Sequence, residues 1–527
     1  MMSTTGRASM GKRREHGTMR RRLWHTALAA SLTGTVLLAG CGSGGGDGQS
    51  EQTLRFGISG EVPVLKAGQE QGNLGATANS LLHRGLMTYD SEAQLVPALA
   101  ESYEQISPTE YSFVLPEGLT FHDGTELTVD SVRSSWEYFA DPENGSAQAE
   151  AYANIEAVEA GEAGEFTVVL KEASSAFLQT LADVSTPILP EAALDPEAES
   201  DVGAGPFSVV DQQSGVGMTL EKFDGYAHAQ EVALDGVELV YYADGASRVN
   251  ALQGGDVDLI DYVPWESFDQ LEQAGFTVDG KAGPGLDVQF NFEAEPLNDP
   301  LVREAIAYAI DREKVVENVF SGYAEPVFGQ IVEEGGEFDT PAVTEMYDYD
   351  PERAKELLAE AGHEDGFDIS LLGTSQYAFV QDTAISVQQD LEAVGIRTEL
   401  ELPDWPTMMD NMLTGEYELG IGTISATISD PSYLLRFVDS PAYVHPWGYE
   451  NAELTQLLKD GRAAETDEAR IESYQRAFEL LREDTPYAVM MQRQQAYAYS
   501  EKVSGFSTLP GLIVFGSGVS VAHISLS

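Results

Sequence analysis

The chain has 527 residues, of which 29 are basic and 87 acidic, for a formal net charge of -58. Such a surface repels nucleic acid and anionic lipid, which excludes a nucleic-acid-binding role. A hydrophobic content of 43% is ample for packed cores, and the length calls for two or three domains. The acid is spread along the chain and does not form a tail, as expected of a solvated surface suited to high salt or secretion.

The first element is a leader. Arg20-Arg21-Arg22 precede an apolar run, Leu23–Leu38, that is too short to span a bilayer comfortably, and Leu38-Ala39-Gly40-Cys41 follows in the pattern of a lipobox. The reading is a lipoprotein signal peptide over 1–40, starting at Met1 or Met19, with the lipid on Cys41; the arginine run also allows twin-arginine export. Cys41 is the single cysteine, so an internal disulfide is excluded. Residues 41–52 are glycine-rich and read as a flexible tether.

Thr53–Ile58 alternates as a strand does, and Ala76–Met87 reads as a helix. Tyr111–Leu115 is a strand, Asp123-Gly124 a hairpin turn, and Thr128 or Asp130 the cap of a helix carrying Val132, Trp136 and Phe139. Glu165–Leu170 is a strand, and Gly203-Ala204-Gly205-Pro206-Phe207 is a tight strand entry whose glycines suit positive φ. Ser247–Gln253 is a helix stopping at Gly254-Gly255, ahead of strand Val257–Ile260. From Leu286 a strand alternates through Val288, Phe290 and Phe292. Asn298 or Asp299 then caps a helix with Pro300 at its first position and a buried stripe of Val302, Ala305, Ile306, Ala309 and Ile310. Asp311 caps a second helix that stops at Gly322, and Asp350-Pro351 opens another that stops at Gly362. Phe367–Leu372, Ile396–Leu402 and Tyr417–Ile424 read as strands, Thr383–Val394 and Asp467–Asp484 as helices, and Val489–Tyr499 as an apolar, tyrosine-rich stretch. This alternation predicts an α/β fold with largely parallel sheets.

The segment Asn291-Phe292, Asn298-Asp299-Pro300, Val302-Arg303, Ala305-Ile306 and Tyr308-Ala309-Ile310-Asp311-Arg312-Glu313 resembles the signature of the family 5 extracellular solute-binding proteins, the dipeptide, oligopeptide and nickel receptors of ABC importers. Phe121-His122-Asp123-Gly124 and Asp350-Pro351 with Ala354, Leu357-Leu358 and Ala361-Gly362 resemble further patterns of that family, although Pro116-Glu117 stand where basic residues are usual. The resemblance implies an α/β fold of the periplasmic-binding-protein type II: two lobes, a hinge, and an extra domain on the first lobe. By analogy lobe I collects 51–88, 187–285 and 487–527, the extra domain is 89–186, and lobe III is 286–486.

It also implies a solute, a peptide foremost, held between the lobes and handed to a membrane permease, with a carboxylate for the peptide amine shortly before an acidic-Pro pair. Asp430-Pro431 is present, but Thr427 stands at the acid's usual place. The aromatics expected near the cleft are Trp265, Trp405, Tyr433 and Trp447. His445 lies where nickel receptors of the family use a histidine, and a lone histidine is not a metal site. A metal-chelate or other small-solute receptor is the alternative within the family. A surface hydrolase or a non-transport envelope lipoprotein is the alternative outside it. No H-E-x-x-H, G-x-S-x-G or Walker lysine is present, so neither enzyme activity nor a cofactor is expected. The expected state is a monomer, exported and held to the outer face of the membrane by its lipid.

Overall fold

A computed structural model describes residues 52–527, except 70, 147, 333–334, 425–429, 439–444 and 465. Cys41 with its leader, and Thr427, therefore lie outside the described residues. A large mixed sheet runs through the molecule. In chain order its strands are β1 (Thr53–Ile58), β2 (Phe207–Gln213), β3 (Gly217–Lys222), β4 (Gly236–Tyr241), β5 (Leu259–Ile260), β6 (Thr277–Phe290), β7 (Ala324–Pro326), β8 (Asp368–Leu372), β9 (Arg397–Glu401), β10 (Leu419–Ile424) and β11 (Tyr487–Tyr499). They lie side by side as β9-β8-β10-β6-β11-β5-β1-β4-β3-β2, with β7 pairing off β11.

The expectation of largely parallel sheets is corrected here. β1 is parallel to β4 and β5, and β8 to β9 and β10. The two long strands at the centre pair antiparallel with each other and with their neighbours β10 and β5. Helix–strand alternation reports the crossovers that need a parallel neighbour; it does not report strands that return from distant sequence to complete the sheet.

Apolar burial falls into separate cores. One is confined to residues 286–491 and includes Leu286, Val302, Ile306, Leu357 and Leu391. Another lies within 67–204, around Phe113, Trp136, Tyr152 and Phe166. It covers one face of a four-stranded antiparallel sheet made by Ser102–Ser107, Glu110–Val114, Glu165–Leu170 and Ile155–Ala160. The remaining two gather β1, β4 and β5 with the end of β11. Among the described residues no helix is long and apolar enough to cross a membrane.

The signature segment folds as its local chemistry dictates. Asp299 caps Pro300–Ala309, its carboxylate accepting from Leu301 N at 2.9 Å. Asp311 caps Arg312–Phe320, accepting from Lys314 N at 3.0 Å, and that helix ends on left-handed Ser321. Arg312 is fully buried. Its guanidinium donates to the carbonyls of Ala307, Ile310, Val327, Tyr347 and Val489, which ties the helical hairpin to β11.

The glycines of the 203–207 entry are needed for a different reason from the one expected, since neither Gly203 nor Gly205 has positive φ. A Cβ at Gly203 would lie 2.2 Å from His83 Nδ1, and one at Gly205 would lie 2.4 Å from the Leu82 carbonyl carbon. Close backbone approach selects glycine here. His122 is spent on the same turn: Gly203 N donates to its Nδ1 and its Nε2 bonds the Gly205 carbonyl, so it is scaffold.

Candidate ligand cleft

β6 and β11 run 14 and 13 residues and carry the sheet from one core to the next. Thr277–Ala282 pairs with Tyr499–Gln494, and Gly285–Gln289 with Gln492–Tyr487. Between them the register breaks at Ala282–Gly285, opposite Arg493. The local sequence explains the break. Pro284 cannot donate to the ladder, and Cβ atoms on Gly283 and Gly285 would press on Gln495 Cβ at 3.0 Å and Met491 O at 2.9 Å. The interruption makes this crossing the natural place for bending.

Polar groups gather where the parallel strands end, the usual place for ligands in open α/β sheets. Asp261 follows β5 and is fully buried. It accepts from Ser59 Oγ and Asn73 Nδ2, each at 3.0 Å, and lies 3.4 Å from Arg248 Nε. Burial pushes its pKa up and Arg248 pulls it back. Arg248 also donates to the carbonyls of Tyr242, Asp261 and Tyr262. That grip holds Tyr262 at φ 43°, strained for a bulky side chain. Its ring stacks on Phe515 at 6.3 Å and 8°.

Aromatics continue from there onto the segments beyond β8 and β9. Trp265 meets Phe320 at 4.9 Å and Phe379 at 5.8 Å; Phe379 meets Tyr377, and Tyr377 meets Trp405 at 5.2 Å. Trp265 Nε1 donates to Gln494 O at 2.8 Å, which fixes the array to β11. Arg493 Cζ lies 5.9 Å from the Tyr262 ring and 5.1 Å from the Phe379 ring.

Of the candidates read from the sequence, Trp265 and Trp405 thus share one array, linked through Phe379 and Tyr377. Trp447 stands outside it, packed against Gly415, with its Nε1 bonded to Glu293. Tyr433 is buried and donates to Ile331 O at 2.8 Å. His445 is half-buried, next to Pro446. Asp430 is a network centre: it accepts from Ser432 N at 2.8 Å, Tyr474 OH at 2.6 Å and Ser175 Oγ at 2.8 Å. The last bond reaches across 255 residues. Beside it Ser175 N donates to Arg462 O, and Arg462 pairs with Glu150 at 3.2 Å, so segment 89–186 is stitched to segment 286–486.

Arg493, Tyr262, Phe379, Tyr377 and Phe515 were not found by sequence reasoning. Arg493 alone left a signal, as a charge inside an apolar run. Among the described residues no cluster of His, Cys, Asp and Glu could hold a metal ion. A separate cavity of about 130 Å³ lies between Arg84, Tyr89, Tyr226 and His523. Its polar lining is partly self-satisfied: His228 bonds Ala98 O and sits 3.5 Å from Glu231.

A sheet shared by two cores, a register break on its crossing strands and an aromatic wall at the strand ends define a type II periplasmic binding protein. The family model of bacterial extracellular solute-binding proteins, family 5 (middle region), matches residues 94–444, and the chain belongs to that family, the solute receptors of ABC importers. Glutathione-binding protein GsiB of Escherichia coli K12 is 25% identical over 515 residues, covering 93% of this chain and 98% of that protein. The structure of AgaA from A. tumefaciens R10, in complex with agropinic acid, superposes with a TM-score of 0.81 at 34% identity, covering 90% of this chain and 99% of that one. DppA from Helicobacter pylori, in complex with the peptide STSA, gives 0.77 at 23% identity with 90% and 98% covered, a likeness of fold.

Proposed function

We propose that the chain captures a short peptide or a similarly sized amino-acid-derived solute in the cleft between lobe I (51–88, 187–285 and 487–527, with 89–186 as its extra domain) and lobe III (286–486). The closed form delivers the solute to the permease. The observation that supports this most directly is the aromatic array, which draws on both lobes: Tyr262 and Trp265 from one, Phe379, Tyr377 and Trp405 from the other. Lipid on Cys41 holds a monomeric receptor outside the membrane, and the chain has no enzymatic role of its own. A second reading, a compact non-peptide acid, is favoured by the 34% identity to AgaA and by Thr427 at the place of the amine-binding acid.

Native mass spectrometry of the soluble form starting at Gly42, compared with the same sample denatured, tests capture. The expected result is release of short peptides or of one small organic acid. A bare protein whose scattering profile does not change with peptide, glutathione or agropinic acid would overturn it. The stitch between Ser175 and Asp430 belongs to the closed form, so Ser175→Ala is expected to weaken capture about fivefold, the worth of about 1 kcal/mol, while leaving the melting temperature in place. Titration calorimetry checks this, and an unchanged affinity removes the bond from closure.

A further inference from the structure

A buried arginine normally engages its whole fork, because donors left unmet cost more than the burial returns. Arg303 donates to the carbonyls of Leu297, Asp484 and Thr485, and Arg248 to three carbonyls beside Asp261. Arg84 is 5% exposed and engages one nitrogen. Its Nη1 donates to the carbonyls of Ser80 and His83, which closes the last turn of the helix Gly72–Leu82. Among the described residues its Nε and Nη2 meet neither a carbonyl nor a carboxylate. Arg312 Nη2 is also unmet, but that atom is sealed within a packed core. The spare edge of Arg84 is not sealed, and Arg84 lines the separate cavity of about 130 Å³. It is the one arginine or lysine among the described residues that does so. The Tyr226 ring lies 5.6 Å from its Cζ, and Pro97, Val519 and Ala522 give the same cavity an apolar wall. Two acids also line it, and neither answers Arg84. Asp90 Oδ1 accepts from Glu92 N and Gln94 N, and the Glu231 side chain is 65% exposed beside His228.

We infer that this cavity is a second ligand site, for a small monocarboxylic acid, with the carboxylate on the spare edge of Arg84 and the short acyl chain against Pro97, Val519 and Ala522. Nε and Nη2 share one edge of the guanidinium plane, and that edge matches two carboxylate oxygens. The apolar wall selects an acid with a hydrocarbon tail over a fully polar anion. The volume sets the size of the tail. An engineered apolar cavity of ~150 Å³ holds one benzene ring, so this one takes about six non-hydrogen atoms, the size of butyrate, and excludes a peptide. The site stands apart from the aromatic cleft, since none of Tyr262, Trp265, Tyr377, Phe379 and Trp405 lines it. It joins three stretches distant in sequence: the hairpin of 87–89 with 95–97, the turn at 226–232, and the C-terminal 519–523. An acid bound there holds the three together, so occupancy also raises the melting temperature.

The test titrates butyrate, butyramide and inorganic phosphate into the soluble chain starting at Gly42, in chloride-free buffer, and follows each probe by NMR. Saturable binding of butyrate at one site per chain is expected, with butyramide about tenfold weaker because it lacks the charge that Arg84 meets. Phosphate is expected to bind more weakly than butyrate, having no chain to bury. Arg84→Gln is expected to weaken butyrate about tenfold. Ala522→Leu fills the cavity while leaving Arg84 on its two carbonyls, and is expected to abolish butyrate binding. The comparison of butyrate with butyramide uses wild type alone, so it decides the matter even if a variant does not fold. The site is overturned by an absence of saturable butyrate binding, by butyramide held as tightly as butyrate, or by folded Arg84→Gln or Ala522→Leu that binds butyrate as wild type does. Phosphate held more tightly than butyrate overturns the monocarboxylic class. None of these outcomes bears on capture in the cleft, which the site does not require.

Discussion

Arg312→Ala is expected to lower the stability of the soluble chain by about 4 kcal/mol, measured by urea unfolding at neutral pH. The cause is an accumulation of unmet acceptors. Five carbonyls from four parts of the chain converge on one fully buried guanidinium, and alanine leaves all of them facing an apolar void. Arg312→Lys keeps the charge but supplies three donors without the planar fork, so it is expected to recover only part of the loss. A loss below about 1 kcal/mol for the alanine variant would show that water replaces the guanidinium cheaply, and that the arginine is no clamp.

The second large effect is one of pH. Asp287 on β6 is fully buried, its oxygens accept no well-formed hydrogen bond, and Gln289 eases the burial only in part. Burial raises its pKa from 3.8 to about 7. In the unfolded chain the carboxyl ionises near pH 4, so between about pH 4 and pH 7 the folded form holds the extra proton. Its contribution is therefore fully present below pH 4 and is lost as pH rises toward 7, a swing on the order of 4 kcal/mol. Asp287→Asn removes the titration in a similar shape. The variant is expected to match wild type near pH 4, to exceed it in stability at pH 8, and to show a shallower fall across the interval. The difference between the two proteins isolates this one carboxyl from the repulsion among the many other acids. Parallel stability curves from pH 4 to pH 8 would sink the assignment.

Capping chemistry was legible because it is local. Asp299, Asp311 and Asp350 each accept from a backbone N–H two or three residues on, and the sequence around each says so. The family wording of 286–327 was legible for the same reason, since its caps, proline and apolar stripe all lie within one short stretch. The first half of β6 was not. Gly283-Pro284-Gly285 has the composition of a turn, and only pairing with β11, some 200 residues away, makes it a bulge within one strand. The cleft followed the same rule. Trp265 and Trp405 could be named as large aromatics, but Phe379 and Tyr377, which join them, come together through contacts that no spacing encodes. Arg493 was visible as a misplaced charge, while its seat between the Tyr262 and Phe379 rings is a property of the folded molecule alone.

The two crossing strands have a consequence for how the molecule comes apart. Each contributes one end to the core around Leu286, Val288 and Met491 and the other to the cores holding Tyr497 and Ala498. Neither core can melt without stripping hydrogen bonds from a strand the other needs. Heat should therefore destroy the receptor in a single calorimetric transition, even though its apolar burial is divided among separate cores. Flexibility for function and cooperativity of unfolding draw on the same pair of strands, the first through a register break four residues long and the second through the ladder on either side of it.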